Sequence, residues 1–220
     1  HVPFDGYMIR VGAMPLNRPS GSVLVLVQSE AEAKGILPAE LATLTDSDDP
    51  MFRYYEIAGV GHGLTARPNV SATIGAVVPK GVQGISDVEG ASDYQPYDKI
   101  SLPLVWGMWR NIYDWLDKGV PMPRGERIVR DISVPGNLAR DSFGNARGGI
   151  RNPYVDLPVK NFKVRNEGAV PPIPNAHPFV ASRGLEAQAQ LCGLAGYETD
   201  LSPAQLKKLF KDKKDYQSKV

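Results

Sequence analysis

The sequence lacks the features that mark several large classes of protein. It contains one cysteine, Cys192, which excludes an internal disulfide and a zinc cluster built on paired cysteines. Lysine and arginine total 25 against 24 for aspartate and glutamate, so the basic excess typical of general polyanion binders is missing. No apolar run approaches the roughly 18 residues that a transmembrane helix requires. We therefore expect no nucleic-acid partner and no membrane span.

The first quarter of the chain shows the alternation of an α/β sheet. Residues 22–28 (SVLVLVQ) form a nearly continuous apolar run, which is typical of a strand buried on both faces of a parallel sheet. Further strands are predicted at 5–12 and 52–58, with a short helix at 38–44 between the last two strands. This order predicts an α/β fold, and 220 residues suit one domain with a sizeable core.

The rest of the chain combines two helices with long loops. Residues 64–101 show little periodicity, and the proline-rich segment 121–180 is expected to wrap over a scaffold. The clearest helix is 102–118, and another is predicted at 202–216 from its cap residues Ser202, Pro203 and Gln205. The stripe predicted to face the core in the first helix is Val105, Trp109, Ile112 and Leu116, widened by Leu104, Met108 and Trp115. Trp106, Trp109 and Trp115 are read as core or interface packing.

Polar residues follow two of the predicted strands. Glu30 and Glu32 come directly after the apolar strand, and His62 lies between two glycines after the strand at 52–58. The carboxyl ends of strands in open α/β sheets carry the functional sites. A carboxylate there can fix the tautomer of an imidazole, which leaves the other ring nitrogen to act as a base. The pattern favours His62 as the base and Glu32 as its acid, with Glu30 as the alternative acid.

Two other groups of polar residues are candidates for a functional site. The acidic cluster Asp46, Asp48 and Asp49 lacks the glycine and the final glutamate of a calcium loop, so it is read as a solvated turn and no metal site is predicted. Arg147 and Arg151 flank a pair of glycines; they either bind polar groups of a substrate or anchor their own loop.

These parts together resemble the alpha/beta-hydrolase superfamily. VLVLVQSEAE is similar to the strand before the acid, and YYEIAGVGHG to the strand and loop that carry the histidine. DSFGNARGGIRNPYVDLPVKNF and LCGLAGYETDLSPAQLKKLF resemble the carboxyl-terminal region of poorly characterised bacterial "alpha/beta hydrolase domain" proteins. The resemblance implies that residues 1–120 supply sheet strands, acid and histidine loops and a packing helix, and that residues 121–220 supply wrapping loops and a terminal helix.

One element of the superfamily is missing from the 220 residues. No serine stands in a G-x-S-x-G nucleophile elbow: Ser20 and Ser22 precede a strand, and Ser86 lacks the second glycine. We therefore expect this chain to be the carboxyl-terminal portion of one hydrolase domain. The nucleophile is then on a missing segment or on a second chain.

The resemblance implies a serine-type carboxylic ester hydrolase that acts on a small-molecule ester and needs no cofactor. The alternative is a non-catalytic binding or structural protein with a degenerate hydrolase fold, which the missing elbow favours. The resemblance also makes export to the periplasm or the cell exterior plausible, although no residue of the sequence indicates a compartment.

Overall fold

The computed structural model describes residues 4–10, 21–34, 49–61, 102–133, 137–164 and 197–219, with single positions 36, 42, 44 and 46 between them. Strands within these ranges are β1 (Gly6–Arg10), β2 (Val23–Ser29), β3 (Phe52–Ile57), β4 (Lys160–Lys163) and β5 (Tyr197–Asp200). Helices within them are α1 (Glu30–Ala33), α2 (Leu102–Lys118), α3 (Pro153–Asp156), α4 (Pro203–Leu209) and α5 (Lys213–Lys219).

The first three strands form a parallel sheet in the order β1-β2-β3. Gly6 of β1 is paired with Val23 of β2, and Leu24 of β2 with Phe52 of β3, so the three strands run side by side from the same edge. This arrangement confirms the predicted α/β fold and the three predicted strands to within two residues at each end. Most of the predicted helix at 38–44 lies outside the described residues.

Strand β2 is buried along its whole length because both faces of the sheet are covered. Its valines Val23, Val25 and Val27 pack into one apolar cluster with α2 and with residues of the segment 119–164. Leu24 and Leu26 point to the opposite face and pack with Phe52, Tyr54 and Leu44. Successive residues of a strand point to opposite faces, so a strand with no polar alternation has to be covered on both sides.

Helix α2 corrects the stripe predicted from the sequence. The buried side chains are Val105, Met108, Ile112 and Trp115, whereas Trp109 is 46% and Leu116 is 44% exposed. Trp106, predicted to pack in a core or an interface, is 66% exposed within the described structure. Apolar residues occupy about two thirds of the circumference of this helix, so periodicity alone could not tell which side faces the sheet.

A meandering segment, residues 119–152, covers the outer edge of β3. Ile150 donates to the carbonyl of Glu56 at 2.7 Å and accepts from Ala58 at 3.0 Å, which extends the sheet by one bridge beyond β3. Isolated antiparallel bridges, such as Ile128 with Gly148, hold the meander together. The described residues of this segment thus contact the sheet and carry no regular strand, whereas residues 165–180 of the predicted wrapping segment 121–180 lie outside the described residues.

The carboxyl-terminal part differs from the single helix predicted at 202–216. Strands β4 and β5 pair antiparallel, and Phe162 of β4 joins the main core. The capping box of Ser202 and Gln205 forms as predicted, but α4 ends at Phe210, whose backbone is extended. Asp212 then accepts from the backbone N–H of Asp215 at 2.9 Å and starts α5. The break lets the buried Phe210 ring stack edge-on against Tyr216, with ring centroids 5.0 Å apart.

Candidate functional site at the carboxyl ends of the parallel strands

The ends of β2 and β3 meet at one edge of the sheet. Ser29 ends β2 and caps α1, accepting from the backbone N–H of Glu32. The chain leaves β3 through Ala58, Gly59 and Val60, and the carbonyl of Val60 accepts from Ala31 of α1 at 3.4 Å. The segment that follows β2 therefore contacts the segment that leads to His62, as expected for neighbouring parallel strands.

Glu30 is the side chain that joins these two segments. It is fully buried, and its Oε2 accepts from the backbone N–H of Gly59 at 2.7 Å. Its Oε1 is bound by Nη1 of Arg140, which comes from the meander. A buried carboxylate is stable only when it is paired and hydrogen-bonded, and Glu30 meets both conditions.

Glu32 lies two residues further along α1 and is less buried. Its Oε2 is bound by the hydroxyl of Ser29, so this carboxylate and the cap residue bind each other. Glu30 and Glu32 thus differ in environment: the first is enclosed beside an arginine, and the second is half-buried beside a hydroxyl.

Gly59 is required where β3 turns towards His62. Its φ is +74°, and a Cβ at this position would lie 2.7 Å from Cγ2 of Val155. Both the left-handed backbone and the close approach of α3 exclude a side chain here. His62 itself lies outside the described residues, so the predicted contact of Glu32 or Glu30 with the imidazole remains a prediction.

A second buried carboxylate, Glu56 of β3, was not singled out from the sequence. It accepts from the hydroxyl of Tyr54 and the backbone N–H of Ile128, both at 2.8 Å, and forms a bidentate pair with Arg130 at 2.6 and 2.9 Å. Burial, together with the charge of Glu56, raises the pKa of Tyr54, so its phenol stays protonated and donates. A glutamate among the aromatic residues of a strand was the signal that could have identified it.

The arginines of the meander bind mainly within the fold. Nε of Arg151 pairs with Asp156 at 2.5 Å, and its Nη2 donates to the carbonyl of Val155 at 2.9 Å. Arg147 is exposed, and its backbone bridges Ala139 and Val129. The local contacts of Arg151 match the loop-anchoring alternative; substrate binding by either arginine remains a prediction.

The residues that the structure describes contain no group of three or more potential metal ligands. In the acidic cluster, Asp46 pairs with Arg127 at 3.4 Å, and its carbonyl accepts from Arg124 at 2.8 Å. The same described residues include no helix long and apolar enough to cross a membrane.

Comparison with known families adds to this geometry. The family model described as "alpha/beta hydrolase domain" matches residues 2–220. The chain belongs to the alpha/beta hydrolase domain family. No curated protein and no solved structure gives a significant match.

Family membership confirms the resemblance and fits the parallel sheet, and it supports a hydrolase-type activity. In an alpha/beta hydrolase domain the polar groups at the carboxyl edge of the sheet are the ones to examine for chemistry. Here they are Glu30 and Glu32 on α1 and the glycine turn that leads to His62.

Proposed function

We propose that the protein is a serine-type carboxylic ester hydrolase in which His62 and a carboxylate of α1 belong to this chain. The observation that supports it most is the 2.7 Å hydrogen bond from Gly59 to Glu30, three residues before His62. It ties the carboxylate helix to the approach of the histidine, which is the juxtaposition that an acid–histidine pair requires. Membership of the alpha/beta hydrolase domain family independently supports a hydrolase-type activity.

In the proposed reaction, His62 takes the proton of a serine hydroxyl as the oxygen attacks the ester carbonyl. The histidine then gives this proton to the leaving alcohol. Water hydrolyses the acyl-enzyme by the same route in reverse order, and the proton returns to the serine. The carboxylate holds the imidazole in one tautomer and stabilises the cation that forms in each step.

Glu32 is the carboxylate we propose for that role, with Glu30 holding the loop. Both oxygens of Glu30 are already bound, one by Gly59 and one by Arg140, and the arginine balances its charge. A carboxylate whose charge an arginine already balances stabilises a neighbouring imidazolium less. Glu32 is half-buried and accepts from the hydroxyl of Ser29.

The serine is proposed to come from a missing segment or from a second chain. Two features support an additional element beside β1. Among the described residues β1 is paired on one side only, with β2. Helix α2 lies next to β1, since its Leu116 is 3.1 Å from the position that a Cβ of Gly6 would take. The same helix exposes the aromatic side chains Trp106, Trp109 and Tyr113.

A fluorophosphonate probe tests the proposal directly. We expect the purified active protein to be labelled on a serine that intact mass and peptide mapping place outside these 220 residues. His62→Ala should abolish labelling and lower kcat by a factor of at least about 10³, whereas the control His177→Ala should leave both unchanged. Retention of full esterase activity in His62→Ala would refute the proposal.

A non-catalytic binding or structural role is the second candidate, because the chain contains no G-x-S-x-G motif. If the folded protein remains unlabelled and no labelled chain purifies with it, this second candidate is favoured. The reading frame upstream of His1 offers an independent check, since an elbow motif there would favour the enzyme.

A further inference from the structure

A cavity of about 310 Å³ lies beside α1, between the meander and the end of β4. The described residues that line it are Lys34, Asp131, Asn137, Leu138, Arg140, Lys163 and Val164. We infer that this cavity binds a carboxylate group of the substrate, so that the ester hydrolysed is one that carries a free acid. The substrate part of this inference rests on the proposed hydrolase function.

The charge of the lining favours an anion. Among the described lining residues, Lys34, Arg140 and Lys163 are basic and Asp131 is acidic. The carboxylate of Asp131 is bound within its own turn by the hydroxyl of Ser133 at 2.6 Å and by its backbone N–H at 3.0 Å, and these bonds hold the pKa of Asp131 below its usual value. No carboxylate among the described residues pairs with Lys163. Arg140 is paired with Glu30, so the ammonium of Lys163 is a charge that an anionic ligand in this cavity would meet.

The shape of the lining separates a charged end from an apolar one. Leu138 and Val164 are both buried and form an apolar surface, while Asn137 adds an amide. A small carboxylic acid has the same division, with a charged head and a short hydrocarbon chain. A cavity of about 310 Å³ lies at the lower end of the range for ligand pockets, so it suits a short acid better than a long one.

Arg140 connects this cavity to the proposed catalytic edge. Its Nη1 binds Glu30, while a third of its side chain stays exposed on the cavity side. A guanidinium has five N–H donors in a planar fork, so binding one carboxylate leaves donors for a second. Glu30 in turn accepts from the backbone N–H of Gly59. A substrate carboxylate bound to Arg140 would therefore be connected, through Glu30 and Gly59, to the turn that leads to His62.

Lys34 connects the cavity to the helix that carries the candidate acids. It follows α1 directly, and its backbone N–H donates to the carbonyl of Glu30 at 3.0 Å. Helix α1 thus carries Glu30 and Glu32, and the residue that follows it lines the cavity. Ester chemistry at one point and carboxylate recognition at the other would fix the orientation of a small half-ester.

Calorimetry with the whole protein tests the cavity without relying on catalysis. The probes are succinate, inorganic phosphate and the uncharged dimethyl succinate. We expect succinate to bind and dimethyl succinate not to bind. Lys163→Gln should weaken succinate binding about tenfold, as expected for loss of one charge-assisted hydrogen bond. Lys163→Arg should retain binding, and Lys207→Gln on α4 is the matched control that should change nothing.

Thermal unfolding of each variant shows that the fold is intact; Lys163 is exposed, so no loss of stability is expected. Failure of succinate to bind the unaltered protein, or equal binding by Lys163→Gln, would overturn the inference. Phosphate binding that depends on Lys163, without succinate binding, would identify a site for free anions and also overturn it.

Kinetics then separate the cavity from the proposed hydrolase function. In Lys163→Gln, KM for monomethyl succinate should rise about tenfold, while kcat/KM for dimethyl succinate stays the same. If KM for the half-ester is unchanged, the carboxylate of the substrate is not bound here and the inference fails. If succinate binding depends on Lys163 but neither ester is hydrolysed, the cavity is supported and the hydrolase proposal alone is refuted.

Discussion

Two buried glutamates at the same edge of the sheet, Glu30 and Glu56, are each paired with an arginine of the meander, yet their surroundings differ. Glu56 and Arg130 are sealed, with side-chain exposures of 0% and 15%, and two further donors complete the site. Glu30 is equally buried at 1%, but its partner Arg140 is 33% exposed and lines a cavity. The sealed pair can only hold the meander against β3. The open pair, Glu30 and Arg140, also holds the meander against the sheet, but its arginine lines a cavity that a ligand can reach.

The largest effect should come from breaking the sealed pair. Arg130→Met leaves Glu56 buried without its cation, and we expect a loss of about 3–5 kcal/mol in the free energy of unfolding. Arg140→Met should cost less, because Glu30 keeps its bond to Gly59 and adjoins a cavity that admits water. Urea unfolding of the two variants measures the difference.

A double variant separates the destabilisation caused by the unpaired charge from the destabilisation caused by lost packing. Adding Glu56→Gln to Arg130→Met removes the unpaired charge, so part of the stability should return. If Arg140→Met proved as destabilising as Arg130→Met, the distinction between a sealed and an open pair would be wrong.

The next largest loss of stability is expected at Gly59, whose backbone N–H donates to Glu30 of the open pair. Gly59→Ala places a methyl group 2.7 Å from Val155 at a φ of +74°, and we expect a loss of about 2–3 kcal/mol in the free energy of unfolding. Gly119→Ala is the matched control: its φ is +67°, but nothing lies within 4 Å of the added Cβ. Thermal unfolding should show the smaller loss for the control, and equal losses would mean that contact with α3 is unimportant.

The smallest effect concerns pH and the buried phenol of Tyr55. Burial raises the pKa of Tyr55 to about 12, and its hydroxyl donates to the carbonyl of Pro123. The unfolded chain loses this proton near pH 10. Stability should therefore fall as the pH rises from 10 to 12, and Tyr55→Phe should make that fall shallower by up to about 1.4 kcal/mol per pH unit.

The exposed Tyr113 supplies the control for this measurement. Tyr113→Phe should leave the slope of stability against pH unchanged. The idea fails if Tyr55→Phe and the unaltered protein lose stability in parallel between pH 10 and 12.

Much of the fold could be predicted from local patterns. The apolar run of β2, the aromatic strand β3, the long helix α2 and the capping box at Ser202 each depend on neighbours in the sequence, and each is present. The break at Phe210 was missed although Asp212, three residues before Asp215, is a cap signal for a new helix. The burial of Phe210 against Tyr216 decided in favour of two short helices.

The candidate site was predictable only in part. Sequence order brought Glu30, Glu32 and His62 to the ends of neighbouring strands, and the contact of α1 with Gly59 and Val60 agrees with that order. The arginine partners were not predictable, because Arg130 and Arg140 lie 74 and 110 residues from the glutamates they bind. The buried face of α2 was also misassigned, since apolar residues cover most of that helix.

The sequence by itself determined the three strands of the parallel sheet and the long helix α2, and that two carboxylates and a histidine follow the strands of that sheet. It could do so because hydrophobic periodicity, cap residues and strand order are properties of near neighbours. Only the tertiary structure decided which glutamate is sealed, which one adjoins a cavity, and which face of α2 is covered. Those outcomes depend on the meander folding back over the sheet, and pairing between residues so far apart leaves no local signal in the chain.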